Sequence, residues 1–109
     1  MAEEIASFYL MILVAMVDNE LHKEEVVRIN EITNKYKVEF DLYDAANEIK
    51  REFKNEFNKA CDYYISIIQN TEIQKDTIEF IKEIAYADRK LHDKEIEILE
   101  RCRKKWNIY

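Results

Sequence analysis

The sequence has no glycine and no proline in 109 residues. Without glycine, neither the Walker A loop nor the dinucleotide-binding fingerprint can be formed, so phosphate cradling of that kind is excluded. Tight Asn-Gly and Asp-Gly hairpins are missing too, and with them the strongest local signal for β structure. Cysteine is scarce: Cys61 and Cys102 are the only two, and they do not stand in Cys-x-x-Cys spacing. That usage predicts two free thiols in a reducing cytoplasm. Positive charge is short as well, with 17 Lys and Arg against 23 Asp and Glu. Nucleic-acid affinity rests largely on neutralised phosphates, so a chain of net charge −6 with no basic stripe argues against such a partner. The longest apolar run, Ile5 to Val17, is about 13 residues. A bilayer needs about 20, so the run predicts a buried core helix and no transmembrane segment. Met1-Ala2-Glu3-Glu4 is acidic where a secretory signal needs a basic start, which again predicts a cytoplasmic chain.

What is present describes a globular chain. Hydrophobic residues make up 48% and charged residues 37%. The length predicts a single domain over residues 1–109, with one modest core and little room for a deep substrate cavity. The acid excess is uneven: residues 1–50 carry 11 acidic and 5 basic groups, whereas residues 51–109 carry 12 of each. Arg101, Arg103, Lys104 and Lys105 cluster where they would offset the negative end of a last helix.

Periodicity predicts six helices. The first spans about Ala2 to Val17, with Ile5, Phe8, Tyr9, Ile12, Leu13 and Met16 at i, i+3, i+4, i+7 spacing. The others span about Lys23 to Lys37, Leu42 to Lys54, Phe57 to Gln69, Ile73 to Ala87 and Asp93 to Lys105. Val38-Glu39-Phe40 reads as extended, Asp41 as a cap, and Asn70-Thr71 as a break. Cys61 and Cys102 both fall on apolar stripes and read as core thiols.

A shift of 70 residues lays one part of the chain over another. Val14-Ala15-Met16-Val17-Asp18-Asn19-Glu20-Leu21-His22-Lys23-Glu24-Glu25-Val26 aligns with Ile84-Ala85-Tyr86-Ala87-Asp88-Arg89-Lys90-Leu91-His92-Asp93-Lys94-Glu95-Ile96. Ala, Asp, Leu, His and Glu coincide, and further on Cys102 falls over Ile32. Each copy reads as helix, turn, helix, around the unit Asp-x-x-Leu-His-x-x-Glu. Both histidines of the chain lie in it, at equivalent places.

Capping explains part of this unit. With His22 and His92 as N-caps, Glu25 and Glu95 stand at N3, where a capping box places its carboxylate. Leu21 with Val26, and Leu91 with Ile96, then form hydrophobic staples. Two features remain. Histidine is not a favoured N-cap. Asp18 and Asp88 sit at helix C-termini, where a negative charge costs roughly 0.3–1 kcal/mol. Carboxylates and imidazoles around one turn are oxygen and nitrogen donors suited to a divalent cation. The candidate metal ligands are therefore Asp18, His22, Glu25, Asp88, His92 and Glu95. No serine, cysteine or histidine arrangement argues for a catalytic nucleophile.

Helix-Ala-x-x-Asp-x-x-Leu-x-x-x-Glu-helix, present twice, resembles the TerB-like domain of tellurite-resistance proteins. The second copy carries the fuller likeness, from Ile84-Ala85-Tyr86-Ala87-Asp88 through Leu91 and Glu95 to Trp106-Asn107-Ile108. The approach Asn70-Thr71-Glu72-Ile73 is similar in style. The resemblance spans nearly the whole chain. It implies an all-α bundle of two pseudo-symmetric helical hairpins and no catalytic activity. It also implies a divalent metal, of no particular identity, chelated by Asp18, Glu25, Asp88 and Glu95. A cytoplasmic role in stress or tellurite resistance follows from it, with a protein partner in a membrane-associated complex. The family places Gly after the Asp of each turn, where this chain has Asn19 and Arg89. Asn adopts a left-handed conformation readily and Arg at a cost of roughly 1 kcal/mol, so the two turns are expected to differ in shape.

Three functions are consistent with these residues. The first is a non-enzymatic metal-binding TerB-like domain. The second is an interaction module without metal, its acidic first half docking a basic partner. The third, a small metal-dependent hydrolase, comes last because the chain shows no activated nucleophile and no signature of a deep pocket.

Overall fold

The computed structural model describes residues 1–16, 23–37, 41–54, 56–87 and 92–108. Among them the chain forms α1 (Glu3–Met16), α2 (Lys23–Lys35), α3 (Leu42–Phe53), α4 (Phe57–Ile67), α5 (Thr71–Tyr86) and α6 (Asp93–Trp106), and no strand. The all-helical bundle read from the sequence is what the chain builds. Val38-Glu39-Phe40 lies outside the described residues.

Helix ends follow local chemistry. Asp41 caps α3, its carboxylate accepting the Asp44 N–H at 3.0 Å. Asn70 caps α5, accepting from Glu72 N–H at 2.9 Å and Ile73 N–H at 3.2 Å. The expected break at Asn70-Thr71 is thus the helix start itself, two residues before Ile73. The expected ends of α2, α3 and α4 overran by one or two residues. Lys37 and Lys54 take left-handed φ of 55° and 48°, which stops α2 at Lys35 and α3 at Phe53. Ile68 turns extended and ends α4 at Ile67. Beyond it, the Gln69 and Asn70 N–H groups donate to the Glu3 carboxylate, tying the α4–α5 turn to the start of α1. With no glycine available, Lys37, Lys54 and Asn107 take the left-handed positions that glycine usually fills.

Packing is organised around α1. Every residue from Ala6 to Met16 is buried, and each of the other five helices packs on it. A helix that is apolar all round is a core helix, which is why its run lacks charge after Glu4. One face of α1 meets α5. There Ser7 Oγ and Thr77 Oγ1 lie 2.7 Å apart, both buried. These two residues are 70 positions apart, the register of the repeat. A residue that touches its own equivalent marks a twofold axis. The remaining contacts obey it: α1 packs on α6 as α2 packs on α5. The two hairpins share one core as the repeat predicts. Leu42, Ala45, Ala46 and Ile49 of α3, with Ala60, Cys61, Tyr64, Ile65 and Ile68 from α4 and its cap, join that core.

Candidate functional site

The site begins at two equivalent helix starts. Glu25 is the third residue of α2 and Glu95 the third of α6, and each is 1% exposed. Glutamate is almost never so buried unless it is paired. His92 precedes α6 with extended backbone (φ −84°, ψ 143°), as an N-cap should. Its backbone N–H donates to Glu95 Oε1 at 3.1 Å, the reach-back half of a capping box. The imidazole Nε2 stands 3.9 Å from the same carboxylate oxygen, and the His92 side chain as a whole is 36% exposed. Glu25, His92 and Glu95 all have further partners. A capping box explains why Glu95 points back at the helix start. It does not require the carboxylate to be withdrawn from water, because such boxes form equally well on exposed helix ends.

His92 and Glu95 are the candidate ligands that the structure brings together. Glu25 stands at the equivalent place on the other hairpin. Among the described residues, the two helices bearing these glutamates each pack on α1 and α5. Asp18, His22 and Asp88 lie outside the described residues, as do Leu21, Leu91, Asn19 and Arg89. Among the described residues no three His, Cys, Asp or Glu side chains are grouped as a metal site would group them. Among the described residues the donors are the Glu25 and Glu95 carboxylates and the His92 imidazole, atom types that a hard or borderline divalent ion takes as ligands.

The structure also assembles groups that the sequence did not bring together. The Tyr9 hydroxyl donates to Glu48 Oε2 at 2.5 Å, and its ring meets Tyr64 edge-on at 5.2 Å between centroids. Burial, and next the bond to Glu48, push the Tyr9 phenol up to about 12. Tyr9 lies on the apolar stripe that periodicity predicts for the first helix, but its meeting with Tyr64 and α3 depends on tertiary packing. A slot of about 140 Å³ opens beside the twofold axis, lined by Phe8, Tyr36, Ile73 and Phe80, with the exposed Glu4 and Asp76 beside them. Pairs 70 residues apart, such as Ser7 with Thr77, were legible in principle from the same shift that revealed the repeat.

Two helical hairpins about a twofold axis, each beginning its second helix with a buried glutamate, define a duplicated helical domain. The sequence model of a family described as tellurite resistance protein TerB matches residues 4–108. The chain belongs to the TerB family. No curated protein and no solved structure matched the chain significantly in the same comparisons. Among the described residues no helix is long and apolar enough to cross a membrane.

Proposed function

We propose that this tellurite-resistance-associated TerB domain is a non-enzymatic metal-binding module. One observation carries the reading: a glutamate is buried at the same position of two equivalent helix starts. Withdrawing a carboxylate from water is costly unless its charge is compensated. The same position buried twice, with a histidine and an aspartate close by in sequence in each copy, suits a cation. Asp18, His22 and Glu25 would supply one set of donors, and Asp88, His92 and Glu95 the other. The bound ion would supply positive charge that neutralises these carboxylates and fixes the turns. The proteins own residues would orient it: the Glu95 carboxylate is already held toward the turn by the His92 N–H.

The test is equilibrium dialysis with metal analysis and thermal melts across a series of divalent ions, wild type against Asp18→Asn/Asp88→Asn. A cognate ion raises the wild-type melting temperature by mass action, and the double variant loses the shift while keeping its helical spectrum. Binding weakens as pH falls and the ligands take up protons. If no divalent ion is retained and no melt moves, the reading is wrong.

One observation favours a second reading, an interaction module. The 140 Å³ slot is apolar within and flanked by exposed carboxylates, Glu4 and Asp76. It suits one apolar side chain presented by a basic protein partner, in a complex that includes membrane-associated components. Loss of binding to such a partner on Phe80→Ala, with metal retention unchanged, would separate this role from the first.

A further inference from the structure

The chain has two cysteines, and they meet. Cys61 on α4 is 1% exposed, Cys102 on α6 is 0% exposed, and the two thiols are neighbours in the core where α4 and α6 pack. Contacts on both sides set this register. Arg101 Nη1 donates to Asp62 Oδ1 at 2.8 Å on one side. One turn onward, Trp106 Nε1 donates to the Ile65 carbonyl at 3.4 Å. The pairing is therefore fixed by the packing of α6 on α4, not by two side chains that happen to be flexible.

The internal repeat shows that packing alone did not require sulfur here. Cys102 occupies the place that Ile32 holds on α2, and Ile32 is equally a core residue. α2 packs on α1 and α5, whereas α6 packs on α4 as well. The thiol replaces the aliphatic side chain in the copy that faces α4, opposite the only other thiol of the chain.

We propose that Cys61 and Cys102 form a redox-active pair, closed by a small peroxide into a disulfide that joins α4 to α6. With hydrogen peroxide the Cys61 sulfur attacks one oxygen, the O–O bond breaks, and Cys61 becomes a sulfenic acid with release of water. The Cys102 sulfur then attacks the Cys61 sulfur, the S–O bond breaks, and a second water leaves. Two thiols lose two electrons and two protons in total, and the peroxide is reduced to two waters. Cys102 acts as the second sulfur because its neighbour Cys61, and then burial, push its thiol up from the usual range. Burial of both sulfurs selects a small neutral oxidant over a bulky disulfide.

The experiment treats the folded full chain with hydrogen peroxide and follows thiols, intact mass and melting temperature, with Cys61→Ala and Cys102→Ala alongside. The expected product is a monomer lacking both thiols and lighter by two hydrogen atoms. It melts several degrees above the dithiol form, since closing a loop restricts the unfolded chain, and a dithiol reductant reverses it. Either single variant, its fold checked by circular dichroism, gives no such product. Unreacted thiols, a sulfinic acid on one cysteine, or intermolecular dimers as the main product would each overturn the proposal. So would a disulfide form that melts below the dithiol form, because the α4–α6 register would then not accept the bond.

Discussion

α1 and α5 begin from the same register and end in different surroundings. Toward the twofold axis they agree: Ser7, Phe8, Met11, Val14 and Ala15 on α1 match Thr77, Ile78, Ile81, Ile84 and Ala85 on α5, and all are buried. Away from the axis they diverge. Ala6, Tyr9, Ile12, Leu13 and Met16 are buried, whereas their equivalents Asp76, Glu79, Lys82, Glu83 and Tyr86 are exposed or half-exposed. These positions are spaced as one helical face. On α1 that face is covered by α3 and α4, as Tyr9 shows by touching both Glu48 and Tyr64. Among the described residues α5 packs on α1, α2 and α6. Duplication thus fixed the shared interface, and the inserted α3–α4 pair decided which copy became the centre of the core.

The comparison breaks most sharply at position 13 and its equivalent. Leu13 is 0% exposed, so Leu13→Glu buries an unpaired charge against α3 and α4. The loss should exceed about 4 kcal/mol and leave the domain unfolded. The reverse change, Glu83→Leu, places an aliphatic side chain on a solvated face and gives up one exposed ion pair, Arg28 to Glu83 at 3.0 Å. Such pairs contribute about 0–1 kcal/mol, so this variant should stay folded with a small shift. Denaturant midpoints for the two variants measure the asymmetry directly. Similar midpoints would mean that α3 and α4 do not cover α1.

The axis itself is a smaller target. The Thr77 hydroxyl donates to the Ile73 carbonyl at 2.6 Å, so in the 2.7 Å contact Ser7 is the donor and Thr77 the acceptor. Thr77→Val leaves the buried Ser7 donor without its acceptor and should cost about 1–3 kcal/mol. Ser7→Ala removes the donor while Thr77 keeps Ile73, and should cost about 1 kcal/mol. The double variant should cost less than the two singles together, as expected for residues in contact. Additive losses in chemical denaturation would place the axis elsewhere.

How much of this was legible in the sequence depends on what set each feature. The helices and the paired hairpins were, because apolar periodicity and the 70-residue register are local patterns. So was the cap at Asp41, since an acidic residue before an apolar run has one common use. The ends of α2 and α3 were not, because the stop signal that usually marks them is glycine and this chain uses lysine. Of the candidate ligands, the capping place of His92 follows the repeat reading, whereas the burial of Glu25 and Glu95 is set by tertiary packing that the repeat does not encode. Asp18, His22 and Asp88 lie outside the described residues. The Cys61–Cys102 and Tyr9–Tyr64 meetings depend on α4 crossing α1 and α6, and no pattern within one helix encodes a crossing.

The lysine stop gives a third test of the same contrast. Lys54 ends α3 at φ 48°, a conformation costing a non-glycine residue roughly 1 kcal/mol or more. Its N–H closes the helix on the Lys50 carbonyl at 2.9 Å. Lys54→Gly keeps that bond, removes the steric cost, and adds freedom to the unfolded chain. The balance should stabilise the domain by about 0.5–1 kcal/mol, read as a raised denaturation midpoint. A lowered midpoint would show that α3 is held by tertiary packing past its own terminus.

The smallest effect is at Glu3, where the first hairpin is fastened to the turn before the second. Its carboxylate accepts the Asn70 N–H at 2.8 Å and the Gln69 N–H beside it. The bond from Asn70, then that from Gln69, hold its pKa below the ordinary 4.5. A carboxyl group with a depressed folded pKa contributes stability that is present above its unfolded value. That contribution is lost as pH falls through the folded one. The contact therefore acts at neutral pH and fades below about 4.5. Glu3 lies at the surface and is only partly covered, so the bonds are screened by water and the gain is slight. Glu3→Gln should lower the melting temperature a little at neutral pH and leave it close to wild type in acid, because the wild-type side chain is then neutral too. An equal difference at both pH values would show that the side chain acts by shape and not by charge. The repeat has no counterpart at this end, since residue 73 is Ile, so the fastening belongs to the first copy alone.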